Sequence, residues 1–308
     1  LKGKLIIILI VLSVPICLIG TGTVKIVKFT DGFSPEPPAD SVMGLTYNPT
    51  DNTFWITDTF DVYAYHFNKS GKDLGDSHDL GTDGISCPTG ITYDTSDDSF
   101  WVADSGKGLN EGYAYHYNSS WEDLTDDIDM GTVGADAVED IAYDSSDDSL
   151  WAVDLFDKFV YHFNAGNGIL MLDGFDTANA GCVAPSGIVY DPTDNTLWIV
   201  DVNGGVGGKG FIFHFDKQGN KLSDGFDFIG LTGSHNPEAI GFDTTDNTFW
   251  IPDNENKFIY HVGPEGKVVK NFKHKSLTKD RNLVFVHAVF YSHFCSISAL
   301  RHPLQPLS

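Results

Sequence analysis

Cysteine is scarce in this chain of 308 residues. There are four, Cys17, Cys87, Cys182 and Cys295, with no CxxC pair and no Cys/His ligand spacing. That excludes a zinc-ribbon site, and nothing in the spacing implies a disulfide framework. Cys87 and Cys182 each precede a Gly-Ile, which puts them on corresponding loops two repeats apart. That is too far for the roughly 5.5 Å Cα separation of a bridge. Positive charge is scarce as well, with 19 Lys and Arg against 43 Asp and Glu and a net charge of −24. Such a surface repels phosphate backbones and anionic headgroups and excludes nucleic acid as a partner. It suits a solvated coat or contact with divalent cations, and calcium is the one cofactor it leaves open. One long apolar run exists, from Leu5 to Ile19, behind Lys2 and Lys4 and ahead of Gly20 and Gly22. It is shorter than the roughly 20 residues of a membrane span, and its layout is that of a signal peptide over residues 1–22, with an uncleaved anchor as the alternative. The expectation is a secreted or extracytoplasmic monomer whose only membrane contact is through this segment. No helical period is sustained past residue 20.

Beyond residue 40 the chain copies itself. "GLTYNPTDNTFWITD" from Gly44 returns as "GITYDTSDDSFWVAD" from Gly90, "DIAYDSSDDSLWAVD" from Asp140, "GIVYDPTDNTLWIVD" from Gly187 and "AIGFDTTDNTFWIPD" from Ala239. In each copy an aromatic (Tyr47, Tyr93, Tyr143, Tyr190 or Phe242) stands eight residues before a tryptophan (Trp55, Trp101, Trp151, Trp198 or Trp250). The tryptophans recur every 46 to 52 residues, by subtraction of residue numbers, close to the length of one propeller blade. Each copy reads as two alternating strands around an Asp/Asn/Ser/Thr turn, a third such as "YAYHFN", and a weaker fourth such as "KLSDGFDF". Four-stranded units that cannot bury their own faces stack around an axis. The expected fold is therefore an all-β propeller over residues 23–273. Its tryptophans pack between blades and its acidic turns close hairpins. Those turns lack the alternate-position ligands and central glycine of an EF-hand-type calcium loop.

"VKIVKFTDGF" from Val24 resembles a fourth strand arriving before any first strand, whereas repeat five already has "KVVKNF". This predicts a ring six-bladed by descent, with an incomplete or replaced last blade in residues 274–308. That tail has no glycine, no tryptophan and no repeat pattern.

The motif "P-x-G-I-x-Y-D…L-W-I-V-D…H-F-D…G" from Pro185 to Gly219 resembles the NHL-repeat propellers and their gluconolactonase-like and streptogramin-lyase-like relatives, over roughly residues 40–272. The gluconolactonase-like resemblance implies a divalent cation at the tunnel mouth, held by a Glu, two Asn and an Asp near strand starts. The matching positions are Met43, Thr89, Glu139 with Asp140, Ser186 and Glu238. Of these, Glu139 and Glu238 offer suitable oxygen ligands.

In a propeller the loop leading into each first strand and the loop between strands two and three open on one face. Repeats two and four carry insertions in the latter, Ser105–Gly112 and Val202–Gly210, where Lys107, Asn110 and Asn203 become ligand-binding candidates. Glu139, Asp140, His235 and Glu238 are single-copy polar residues on the leading loops, and complete the candidate set. Asp58, Asp104, Asp154, Asp201 and Asp253 end the second strand of every repeat, which reads as turn capping, with cation binding at the mouth as the other reading. His66, His116, His162, His214 and His261 recur in every blade and read as scaffold. Asn68 and Asn118 lie in glycan-acceptor sequences. No nucleophile stands beside an identifiable base. The leading function is a non-catalytic module binding a protein, glycan or small molecule on its loop face. The alternatives are a metal-dependent lactonase or lyase and a structural cell-surface repeat.

Overall fold

The computed structural model describes residues 32–35, 38–106, 112–203, 210–264 and 266–268. Each repeat starts from its acidic turn. The carboxylate or amide of Asn48, Asp94, Asp144, Asp191 or Asp243 accepts the backbone N–H two residues on, at 2.8–3.0 Å. Four residues further, Asn52, Asp98, Asp148, Asn195 and Asn247 adopt φ of 56–64°, which Asn and Asp tolerate better than other side chains. Turn chemistry thus fixes the register of the first hairpin.

Blade 1 holds strands Val42–Asn48, Thr53–Asp58, Tyr63–Asn68 and His78–Asp79, and blade 2 holds Pro88–Asp94, Ser99–Asp104, Tyr113–Asn118 and Ile128–Asp129. Blade 3 holds Val138–Asp144, Ser149–Asp154, Phe159–Asn164 and Leu170–Asp176. Blade 4 holds Pro185–Asp191, Thr196–Asp201, Phe211–Asp216 and Phe226–Asp227. Each is an antiparallel meander. Short helical turns, such as Leu80–Asp83 and Phe228–Thr232, lead from one blade to the next and end on left-handed glycines.

Blade 5 holds Gly241–Asp243, Thr248–Asp253 and Phe258–Gly263, and two short pieces share its outer edge. Gly32–Phe33 pairs with Tyr260 and Ile259, and Lys267–Val268 with Gly263 and Val262. The early strand therefore completes blade 5, which packs directly on blade 1. Trp250 and Ile259 share a core with Leu45, Phe54 and Phe67, and the Asn254 amide grips both the N–H and the carbonyl of Val42 at 3.1 and 2.9 Å. Among the described residues the ring closes with five blades, and the early strand joins blade 5 rather than a sixth. Residues 274–308 and the 1–22 segment lie outside the described residues.

Each tryptophan packs against the next blade, as its size demands. Trp151 sits among Ile188, Tyr190, Leu197 and Phe215 of blade 4, and Trp101 beside Ile141 and Leu150 of blade 3. Around the axis the first strands approach so closely that a side chain hardly fits. A Cβ on Gly187 would lie 2.8 Å from the Ala239 Cα, and on Gly90 2.7 Å from the Asp140 Cα. These contacts are backbone, which cannot swing aside. Gly187→Ala is expected to destabilise by about 1–3 kcal/mol in urea unfolding, and a neutral result would mean the blades can slide apart. Cys182 is a free, buried thiol, so the Cys87–Cys182 bridge is not made.

Candidate functional site

The first strands of blades 1–4 carry a bulge between their first and third residues, which leaves Met43, Thr89, Glu139 and Ser186 out of the ladder. Bulges re-aim side chains, and here they leave Thr89, Glu139 and Ser186 buried at the entry ends of the first strands. Thr89 gives its hydroxyl to the Val138 carbonyl at 2.8 Å, and Ser186 lies 3.5 Å from that of Pro237. Glu139 is 3% exposed. It faces Glu238 of blade 5, which precedes the first strand and whose carboxylate takes a hydrogen bond from Asn236. Burial and then the neighbouring Glu139 push Glu238 up to about 8, against the Asn236 amide, which favours the charged form. One of the two carboxyls therefore keeps a proton near neutral pH.

Asp140 does something different from its counterparts in the other repeats. It occupies the place of Gly44, Gly90, Gly187 and Ala239. Its carboxylate accepts the N–H of Ile141 at 2.9 Å and, from blade 4, that of Ile188 at 3.0 Å. It is 1% exposed, and burial raises its pKa well above the usual carboxylate range. It ties together the first strands where they crowd the axis. On the opposite face a shallow funnel, lined by Tyr47, Tyr93, Tyr143, Tyr190 and Phe242, offers about 80 Å³ of room.

The repeated aspartates act on the backbone. Asp58 accepts from Asp40 and Ser41 of the leading loop at 2.8 and 2.9 Å, and from Phe60 and Asp61 of the following turn. Asp104 and Asp154 bridge the same two loops. Asp201 does likewise through Val183 and Asn203, and Asp253 holds the turn at Glu255 and Asn256. These five therefore stay apart, one per blade. Among the other candidates, His235 is exposed beside Glu255, with which its backbone N–H bonds at 2.8 Å, and Asn203 lies in the turn after Asp201. Lys107 and Asn110 lie outside the described residues. The Asn68 and Asn118 side chains close their own turns.

The histidines hold a deceptive geometry. Ser149 Oγ lies 2.6 Å from His162 Nε2, and His162 Nδ1 lies 2.8 Å from Asp173, which is the spacing of a nucleophile–base–acid triad. Ser149 and His162 are fully buried, however, and the ring stacks on Trp151 at 3.6 Å. The same set recurs as Thr53, His66 and Asp76, as Ser99, His116 and Asp126, and as Thr196, His214 and Asp224. No substrate reaches these hydroxyls, so the networks are blade scaffold. Sequence reasoning missed Asn236 and Asn254, whose only signal was their place beside Glu238 and Asp253.

A closed ring of radial antiparallel blades with a polar mouth on its loop face defines a β-propeller. No family profile and no curated protein matches the sequence. Among solved structures the chain is similar to a chain of a nidogen/laminin complex, at 15% identity and a TM-score of 0.51, covering 73% of this chain and 77% of that one. It is also similar to a calcium-binding protein, regucalcin, from Agrobacterium tumefaciens, at 12% identity and a TM-score of 0.50, covering 79% and 96%. A streptogramin B lyase aligns at 14% identity and a TM-score of 0.47, covering 78% and 71%. At these identities the likeness is one of fold. The metal set implied by the gluconolactonase-like resemblance does not fit here. Two carboxylates converge at the strand-start positions, while Thr89 bonds backbone and Met43 brings sulfur.

Proposed function

We propose that this chain is an extracytoplasmic binding module that takes a partner on its loop face, with a cationic group of that partner seated between Glu139 and Glu238. The observation that carries this reading is the carboxylate pair itself, with Glu139 buried and Glu238 partly exposed. It is held at a tunnel mouth where Asp140 crowds the axis, and where no nucleophile–base pair is exposed among the described residues. An incoming ammonium or guanidinium favours the charged form of both carboxyls, so the proton that Glu238 holds leaves to solvent as the cation seats and the charge is balanced. A protein partner accords with the structural relative described as a nidogen/laminin complex. The acidic surface would steer basic partners toward it.

The test is a fluorescence titration with a lysine-rich peptide and its glutamine counterpart. The lysine peptide is expected to bind saturably and more tightly above pH 8, with at least tenfold loss in Glu139→Gln/Glu238→Gln. Equal affinity for both peptides would sink the reading. So would turnover of a lactone panel, with or without calcium, that disappears in the same double variant, because the module would then be an enzyme.

A further inference from the structure

The aspartate that ends the second strand is bonded alike in four of the five blades. Oδ1 of Asp58, Asp104, Asp154 and Asp201 accepts N–H groups of the following turn. Oδ2 accepts from the leading loop, 17 or 18 residues back by subtraction. Blade 5 departs from this. Oδ1 of Asp253 accepts the Glu255 and Asn256 N–H groups at 2.9 and 3.0 Å, but Oδ2 has no hydrogen-bond partner among the described residues. The donor has been diverted: the N–H of His235, 18 residues back, bonds the Glu255 side chain at 2.8 Å. Asp253 is 2% exposed, and a carboxylate oxygen buried without a donor is unfavourable. Burial lifts its carboxyl above the usual range, although the Ser234 hydroxyl favours the charged form.

That oxygen belongs to the surroundings of the Glu139–Glu238 pair. In the sister blades Oδ2 faces the leading loop, and the leading loop of blade 5 runs directly into Glu238. Pro237 lies opposite Asp253 in an isolated bridge, and the Glu238 N–H bonds the Pro252 carbonyl at 3.1 Å. After burial and Glu139, Asp253 adds to the upward push on Glu238. Lys257 opposes that push, but its ammonium is bonded to the Asp40 carbonyl. Elsewhere the chain answers a buried aspartate with a lysine. Lys217 of blade 4 places its ammonium 2.6 Å from Asp144 of blade 3, and Lys69 of blade 1 pairs with Asp243 of blade 5. Burial pushes both carboxyls up, but the bonds from ammonium and hydroxyl outweigh it and hold them below the usual range.

We infer that Asp253 is the third acceptor of the Glu139–Glu238 site, and that the cation seated there is a primary ammonium of the lysine type. The inference rests on the cation-binding reading above and narrows it. A primary ammonium brings three N–H donors on a compact head to three carboxyls. Oδ2 is closed to solvent, so the group that reaches it is small and enters past the partly exposed Glu238. A guanidinium is a planar fork suited to two parallel bonds with one carboxylate, and a trimethylated ammonium keeps its charge but has no N–H to give.

The test is a fluorescence titration of the whole chain with one peptide carrying lysine, arginine or trimethyl-lysine at the same position. Lysine is expected to bind about tenfold or more tightly than either of the others, the worth of one charge-assisted hydrogen bond. Asp253→Asn keeps an oxygen for the Glu255 and Asn256 N–H groups and should abolish most of that preference. Equal affinity for lysine and trimethyl-lysine in the parent chain, lost for both in Glu139→Gln/Glu238→Gln, would overturn the inference and leave the cation-binding reading standing. This comparison needs only the parent's peptide preference and the glutamate variant, so it decides even if Asp253→Asn fails to fold. A folded Asp253→Asn that still prefers lysine would also overturn the third acceptor. No saturable binding of any of the three peptides by the parent would overturn both readings together.

Discussion

Trp151→Ala is expected to lower stability by about 3–5 kcal/mol, more than any other single truncation at the blade seams. The indole is fully buried, stacks at 7° on His162, and donates from Nε1 to Asp144 at 3.1 Å. Its removal leaves a cavity between blades 3 and 4 and strips the cover from a histidine held between Ser149 and Asp173. Both sheets are pinned by hydrogen bonds within their own blades, so neither can collapse into the space. Urea denaturation followed by far-ultraviolet circular dichroism measures this. Trp151→Phe should recover part of the loss, since it refills volume without the Nε1 donor. A cost below about 1 kcal/mol for the alanine would mean that the blades are not wedged by these rings.

Glu238→Gln is expected to stabilise the protein, and increasingly so as the pH rises. The ordinary glutamate value is 4.5, and the folded group is pushed up to about 8, mainly by burial and then by Glu139. Between these two values the folded chain holds more protons than the unfolded one, so rising pH drains stability until the folded carboxyl has ionised. Glutamine removes that loss while keeping an oxygen for the Asn236 amide. The gain should be absent below pH 4.5, grow through the interval and level off above about 8. At about 1.4 kcal/mol for each pH unit, discounted because Glu238 is partly exposed, the plateau is roughly 2–3 kcal/mol. Thermal melts from acid through to mildly alkaline pH read this directly, and a gain that did not change with pH would refute the raised Glu238 carboxyl. Glu139→Gln should shift the same curve toward acid, because it removes the second of the two causes.

The blades were legible because their chemistry is local and repeated. The turn at Asp144 holds the tryptophan seven residues on, and that tryptophan stacks on the histidine of the third strand, all within a single repeat. What lies between repeats was harder to read. Counting "VKIVKFTDGF" and "KVVKNF" as whole strands predicted a sixth blade, because a sequence does not show that two short pieces divide one edge. Gly32–Phe33 takes the Ile259 half and Lys267–Val268 the Gly263 half. Asp140 stood out as single-copy, and only the crowding at Gly90 and Gly187 reveals how close it sits to the axis. Lys69 and Lys217 gave no signal at all, since their carboxylate partners belong to the preceding blade around the ring and, for Lys69, to the other end of the propeller.

Among the described residues, ring closure joins the packing of blade 5 on blade 1 to a short strand at Phe33. Phe33 lies 5% exposed against Phe54, Phe67 and Trp250, and its strand pairs through two residues. A contact joining such distant segments forms late in folding, because the loop it closes spans nearly all five blades. Until it forms, the molecule is an open arc with an unfilled socket at one end and a loose aromatic plug at the other. Two such arcs can satisfy each other as well as themselves, so refolding at high concentration sets self-closure against exchange of the plug between molecules, and the product ratio reports which is faster.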